Sequence, residues 1–106
     1  MPKYLIQASY TPEGTKGLLK EGASQRSATI EKTLKSAGAK LEAIYYALGE
    51  YDVYVVMDAP DNATVAGLSL AINASGAVRL KTTVLLTTEE LDAAAKKTIN
   101  YRPPGA

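Results

Sequence analysis

Five polar side chains on the predicted strands have the types and spacing of a small binding site. Tyrosine combines a large apolar ring with a hydroxyl that needs a hydrogen-bond partner, so it suits half-wet cavities and interfaces. We expect Asp52 to form an ion pair with Arg79 or Lys81. In a half-buried site such a pair would keep the carboxylate ionised and leave a tyrosine hydroxyl as a neutral donor. The predicted site, suited to a small aromatic or polar ligand, consists of Gln7, Asp52, Tyr54, Arg79 and Lys81.

The chain contains neither histidine nor cysteine, which narrows the chemistry. Zinc, copper and haem sites usually use one of these residues as a ligand. Ser-His-Asp and Cys-His nucleophile systems require them. Two carboxylates, Asp58 and Asp61, flank Pro60, where we expect helix capping rather than a metal site. The sequence therefore predicts no metal and no cofactor, and it identifies no catalytic residue.

Seven tyrosines occur without any phenylalanine or tryptophan. We expect Tyr4, Tyr45 and Tyr51 to pack against neighbouring side chains, and Tyr54 to line the cavity. The tyrosine bias therefore indicates an interface or half-buried space rather than a catalytic motif.

Length and charge define the class of protein. The 106 residues fit one domain, which we predict to span residues 1–106. Twelve basic and eleven acidic residues give a net charge of +1, so charge does not favour binding to nucleic acid or to an anionic membrane. No apolar run approaches the ~18–20 residues that span a bilayer, and the first residues lack the apolar segment of a signal peptide. We expect a cytoplasmic protein.

Hydrophobic periodicity predicts an alternation of strands and helices. Strands are predicted at residues 3–9, 41–48, 53–57 and 77–86. A helical region opens at Thr11-Pro12, is interrupted by glycines, restarts at Ser24 and ends at Gly38. A second helix opens at Asp61 and ends at Gly76. A capping box at residues 87–90 precedes a short helix at 91–97.

This order, β-α-β-β-α-β with a short C-terminal helix, predicts an α+β fold of the ferredoxin-like kind. Its four-stranded antiparallel sheet carries both helices on one face, which leaves the other face open. Alternation places apolar residues such as Leu5, Tyr54 and Val56 on the open face, together with charged residues of both signs. Such a mixture is typical of a subunit interface, so we predict a homodimer of the dimeric α+β barrel type with a small space between the sheets.

Five separated segments match the sequence pattern of a known family. They are Met-Pro-Lys-Tyr at 1–4, Tyr-Thr-Pro-Glu-Gly at 10–14, Gly-Glu-Tyr-Asp at 49–52, Ala-Ser-Gly-Ala-Val-Arg at 74–79 and Tyr-Arg-Pro-Pro-Gly at 101–105. Together they resemble the GYD-domain family, whose naming residues correspond here to Gly49, Tyr51 and Asp52. The resemblance covers nearly the whole chain. It implies a small bacterial-type cytosolic protein with a ferredoxin-like fold, and it implies no particular activity.

Three functions are compatible with these features. The first is a homo-oligomeric, non-catalytic small-molecule-binding or regulatory module, whose partners are a second copy of itself and a small ligand between paired sheets. The alternative is a cofactor-independent, monooxygenase-like enzyme acting on a phenolic or quinol compound, which rests on fold-level analogy. The third is a structural assembly subunit without a ligand.

Overall fold

Four strands form one antiparallel sheet in the computed structural model, which describes residues 1–106. The strands are β1 (Lys3–Tyr10), β2 (Lys40–Tyr46), β3 (Val53–Asp58) and β4 (Val78–Leu85), in the spatial order β2-β3-β1-β4. The helices are α1 (Pro12–Glu21), α2 (Ala23–Ser36), α3 (Asn62–Ala74) and α4 (Thr88–Ala95). The predicted α+β fold with the ferredoxin-like order is therefore confirmed, with strand bounds that differ by at most two residues.

Local signals in the sequence explain the helix ends. The Thr11 side chain accepts a hydrogen bond from the Gly14 amide at the start of α1, and Pro12 occupies the first helical position. Gly22 has φ +87°, a conformation that L-residues with a Cβ rarely adopt, so it separates α1 from α2. Asp61 caps α3 by accepting from the Thr64 amide at 2.8 Å. This hydrogen bond lowers the pKa of the Asp61 carboxyl below 3.8.

The hydrophobic core lies between the helices and one face of the sheet. Alternate residues of β1 and β3 are buried there, and Leu34 of α2 and Val65 of α3 pack over them. Tyr4 is buried in this layer as predicted, and its hydroxyl donates to Asn62 Oδ1 at 2.6 Å. The remaining buried strand residues are Ile6, Ala8, Val53, Val55, Met57 and Val78. Both helical layers thus cover the same face, and the opposite face stays open.

Residues 86–106, which we call the C-terminal arm, project from this body. Every one of them is exposed, and the arm makes its hydrogen bonds within itself. The radius of gyration is 17.0 Å, whereas a compact chain of this length has a value of about 13 Å. The predicted capping box joins Thr87 and Glu90, so α4 begins at Thr88, three residues before the predicted start. Within the arm, Leu91, Ile99 and Tyr101 expose large apolar side chains.

None of the four helices has the length and apolar character needed to cross a lipid bilayer.

Candidate functional site

The open face of the sheet brings three of the predicted site residues into one row. Gln7 on β1 lies opposite Tyr54 on β3 and opposite Lys81 on β4. Tyr54 in turn lies opposite Tyr45 on the edge strand β2. Directly opposed side chains on one face of an antiparallel sheet are close enough to interact. The row therefore places an amide, a phenol and an ammonium group side by side on three neighbouring strands.

The neighbouring row of the open face is apolar. Leu5 lies opposite Val56 on β3 and opposite Thr83 on β4. All three side chains are partly buried even in the single chain, and Leu85 lies further along the same face of β4. An apolar row thus adjoins the polar row, which is the mixed surface that the sequence predicted.

Arg79 and Asp52 lie outside the polar row and do not contact each other as the predicted site requires. Arg79 is exposed and lies opposite Ser9 at the end of β1. The Asp52 carboxylate accepts a hydrogen bond from the Tyr10 backbone N–H at 2.8 Å. The predicted ion pair between Asp52 and Arg79 or Lys81 is therefore wrong. β3 begins only at Val53, which pairs with Ala8, so the Asp52 side chain reaches the Tyr10 amide beyond the last β1–β3 pair.

The ion pairs of this face lie at its other end, around Lys3. Its ammonium group contacts Glu42 Oε2 at 2.9 Å and Asp58 Oδ1 at 3.0 Å. Asp58 is the direct cross-strand neighbour of Lys3, and Glu42 lies at a register shift in β2 that turns it toward the same position. These hydrogen bonds raise the pKa of Lys3, the Glu42 contribution being the larger. Asp58 thus pairs with Lys3 and caps no helix, which corrects the prediction for Asp58 but not for Asp61.

The segment between β2 and β3 folds back against the end of β1. The Asp52 N–H donates to the Ala8 carbonyl at 2.8 Å, and the Ser9 hydroxyl donates to the Glu50 carbonyl at 3.0 Å. Gly49 has φ +143°, which favours glycine at this position. The Tyr51 ring meets the Tyr54 ring edge to face, with centroids 6.2 Å apart. Each residue of the Gly49, Tyr51, Asp52 motif therefore shapes or fixes this connection.

A second concave region lies on the helix side of the sheet. An apolar cavity of about 60 Å³ lies beneath α2 and α3, and a groove of about 500 Å³ lies between α1, α2 and α3. Four residues line both spaces, so the groove leads into the cavity, and we call the two together the helix-side cleft. The shared residues are Tyr10, Arg26, Ile72 and Val78.

Comparison with known proteins identifies the family of this chain. The sequence model of the GYD domain matches residues 4–95, which is most of the chain. The chain belongs to the GYD-domain family. It is also 30% identical over 97 residues to the glutamine synthetase and cystathionine beta-lyase binding protein of Thermus thermophilus, covering 91% of this chain and 100% of the relative. No solved structure matches this GYD domain.

For one residue of this GYD domain the sequence prediction was wrong, and one further residue of the site was not predicted at all. Tyr45 was expected to pack, but 73% of it is exposed, because it points away from the helices on the edge strand. Arg26 was not singled out, although the helix-side cleft is built around it. A signal was present: Arg26 precedes Ile30 and Leu34 at spacings of four, so it continues the apolar stripe of α2.

Proposed function

We propose that this GYD domain is a non-catalytic binding module of the cytoplasm that pairs with a second copy of itself. In this proposal residues 1–106 act as one unit, and the two open sheet faces meet. The enclosed space then holds a small aromatic or polar ligand or serves a regulatory contact. No membrane or nucleic-acid partner is part of the proposal.

The observation that carries the proposal is the incomplete burial of the single chain. Only 12 of its 106 residues are buried, and all the buried hydrophobic residues belong to the helix side. The apolar row of Leu5 and Val56 and the leucine at 85 remain open on the other face. Pairing two such faces removes apolar surface from water, and each Å² of buried apolar surface stabilises the dimer by roughly 25 cal/mol.

The relative from Thermus thermophilus supports binding rather than catalysis. Its name describes a protein that binds two enzymes, glutamine synthetase and cystathionine beta-lyase. We infer for this GYD domain the same general role, association with partner proteins.

Within the paired sheets, the ligand would contact the polar row of Gln7, Tyr54 and Lys81. Arg79 lies at the rim of this row and supplies a second positive charge. Asp52 contributes indirectly, since its carboxylate is engaged by the Tyr10 amide and fixes the connection beside the row. The site therefore favours a ligand that has hydrogen-bond acceptors and an aromatic or apolar body.

Sedimentation velocity of matched variants tests the pairing. Val56→Lys places a charge in the apolar row and should convert a dimer into a monomer. Leu70→Lys changes an α3 residue that is 72% exposed on the helix side, and it should leave the dimer intact. Circular dichroism of both variants checks that they fold. A monomeric parent protein, or a Val56→Lys dimer as stable as the parent dimer, would refute the proposal.

The enzyme alternative uses the same row. A cofactor-independent, monooxygenase-like reaction on a phenol or quinol would need the Tyr54 hydroxyl and the Arg79 charge to orient the substrate. Turnover found in a screen of such compounds should then be lost in both Tyr54→Phe and Arg79→Ala. Unchanged turnover in both variants would place the reaction elsewhere, and absence of turnover across the screen favours the binding module.

A further inference from the structure

The helix-side cleft is separate from the open sheet face and has a different chemistry. Of the 15 residues that line its inner cavity, 13 are hydrophobic, and the exceptions are Arg26 and Ser69. The inner volume of about 60 Å³ is several times the ~10–15 Å³ that one water molecule needs, which leaves room for a few carbon atoms. The adjoining groove of about 500 Å³ lies within the range of small-molecule sites.

Arg26 lies where the groove meets the cavity, beside the Tyr10 hydroxyl, and no carboxylate of the chain pairs with its guanidinium group. Its Nε atom is buried without a hydrogen-bond acceptor. It takes part in no ion pair, because both ion pairs of the structure are made by Lys3. A buried guanidinium nitrogen without an acceptor costs free energy, since it has lost its hydration without replacement. An anionic group placed at this point would supply the missing acceptor.

Neighbouring groups restrict the ligand further. Arg26 is the one basic residue in the lining of either space, and α1 contributes Glu13 and Glu21 to the groove. The two carboxylates in the groove disfavour a second negative charge on the ligand. Burial raises the pKa of the Tyr10 hydroxyl, with Arg26 acting in the opposite direction. Tyr10 therefore stays a neutral donor at the same junction.

We propose that the helix-side cleft binds a small monoanionic compound, such as a short-chain carboxylate, with its apolar end in the inner cavity and its carboxylate against Arg26. Planar guanidinium groups bind carboxylates through two parallel hydrogen bonds, which suits this junction. The site is independent of sheet pairing, so it would be present in a monomer and in a dimer.

Pentanoate is a suitable probe, observed by amide chemical shifts in nitrogen–proton correlation spectra. Millimolar pentanoate should shift amides of the cleft, including those of Arg26 and Ile72, and leave those of the open face unchanged. 1-Pentanol has the same apolar chain without the charge and should bind at least about tenfold more weakly. Hexanedioate, with a second carboxylate at the apolar end, should also bind more weakly than pentanoate.

Two variants separate the charge from the cavity. Arg26→Met keeps much of the side-chain volume and should lower pentanoate affinity about tenfold or more. Ser69→Leu fills the inner cavity while Arg26 is retained, and it should also weaken binding. Lys32→Met removes one positive charge from an exposed position of α2 outside the lining of the cleft and should have no effect. The spectra themselves show whether each variant is folded.

Three results would overturn the inference. The first is equal affinity of Arg26→Met and the parent for pentanoate. The second is a set of shifts confined to the open face. The third is the absence of any shift at millimolar pentanoate in the folded parent protein.

Discussion

Replacing Gly14 with alanine tests how closely α1 is fixed against the start of β4. Gly14 is the one buried residue of α1. A Cβ at this position would overlap the Ala77 carbonyl oxygen, and it would lie 3.0 Å from the Ala77 carbonyl carbon and 3.2 Å from Tyr10 Cδ1. Because the obstacle is backbone, relief requires α1 to move away from β4.

The movement would also strain two hydrogen bonds between Thr11, which caps α1, and the residues just before β4. The Thr11 N–H donates to the Ala77 carbonyl at 3.0 Å, and the Thr11 hydroxyl donates to the Gly76 carbonyl at 2.8 Å. Overpacking costs about 1–3 kcal/mol, and each weakened hydrogen bond costs about 1 kcal/mol. The higher helix propensity of alanine offsets about 1 kcal/mol. The free energy of unfolding should therefore fall by about 2–4 kcal/mol, which lowers Tm by roughly 10–30 °C.

Gly17→Ala in the same helix is the matched control. No atom lies within 4 Å of a Cβ built there, so only the gain in helix propensity remains. This variant should be more stable than the parent by about 1 kcal/mol. Urea denaturation followed by circular dichroism measures both variants. Equal stability of the two variants would show that α1 is not held against β4 as described.

Three further predictions concern the motif, a helix cap and the cleft. Asp52→Ala should lower the free energy of unfolding by about 1–3 kcal/mol because the Tyr10 amide loses its acceptor, whereas Arg79→Met should have little effect. Urea denaturation compares the two variants. Equal losses of stability would indicate that Asp52 and Arg79 form an ion pair after all. Folding lowers the pKa of Asp61, so the stability that its carboxylate contributes is present above pH 3.8 and is lost as pH falls through the folded pKa. Asp61→Asn should remove that part of the dependence of Tm on acid pH. An unchanged dependence of Tm on pH in this variant would contradict the helix cap. Burial raises the pKa of Tyr10, so Tyr10→Phe should remove a tyrosine transition with a raised midpoint from an ultraviolet absorbance titration, and persistence of that transition would assign it to another tyrosine.

The fold could be predicted because its signals are local. The cap at Thr11, the break at Gly22 and the capping box at 87–90 each act within a few residues of where they occur in the sequence. Strand alternation likewise placed Gln7 and Tyr54 on one face, and the register shows them directly opposed.

The side-chain positions that were predicted wrongly or missed depend on where strands end and on tertiary geometry. Asp52 lies one residue before β3, so strand alternation does not govern its side chain, which turns to the Tyr10 amide. Tyr45 lies on the edge strand and on the open face, so no element of the chain covers it. Arg26 was overlooked because a charged residue at the end of an apolar stripe is commonly solvent-exposed, and only the meeting of three helices with the sheet encloses it.

The C-terminal arm has a thermodynamic consequence of its own. An eight-residue helix is too short to persist alone in water, since nucleation is costly and few bonds follow it. α4 receives no packing support from the sheet, so its unfolding is uncoupled from that of the body and its amides should exchange with solvent far sooner. Any molecule that orders the arm must supply that free energy itself, which makes binding there weak for its area and readily reversible.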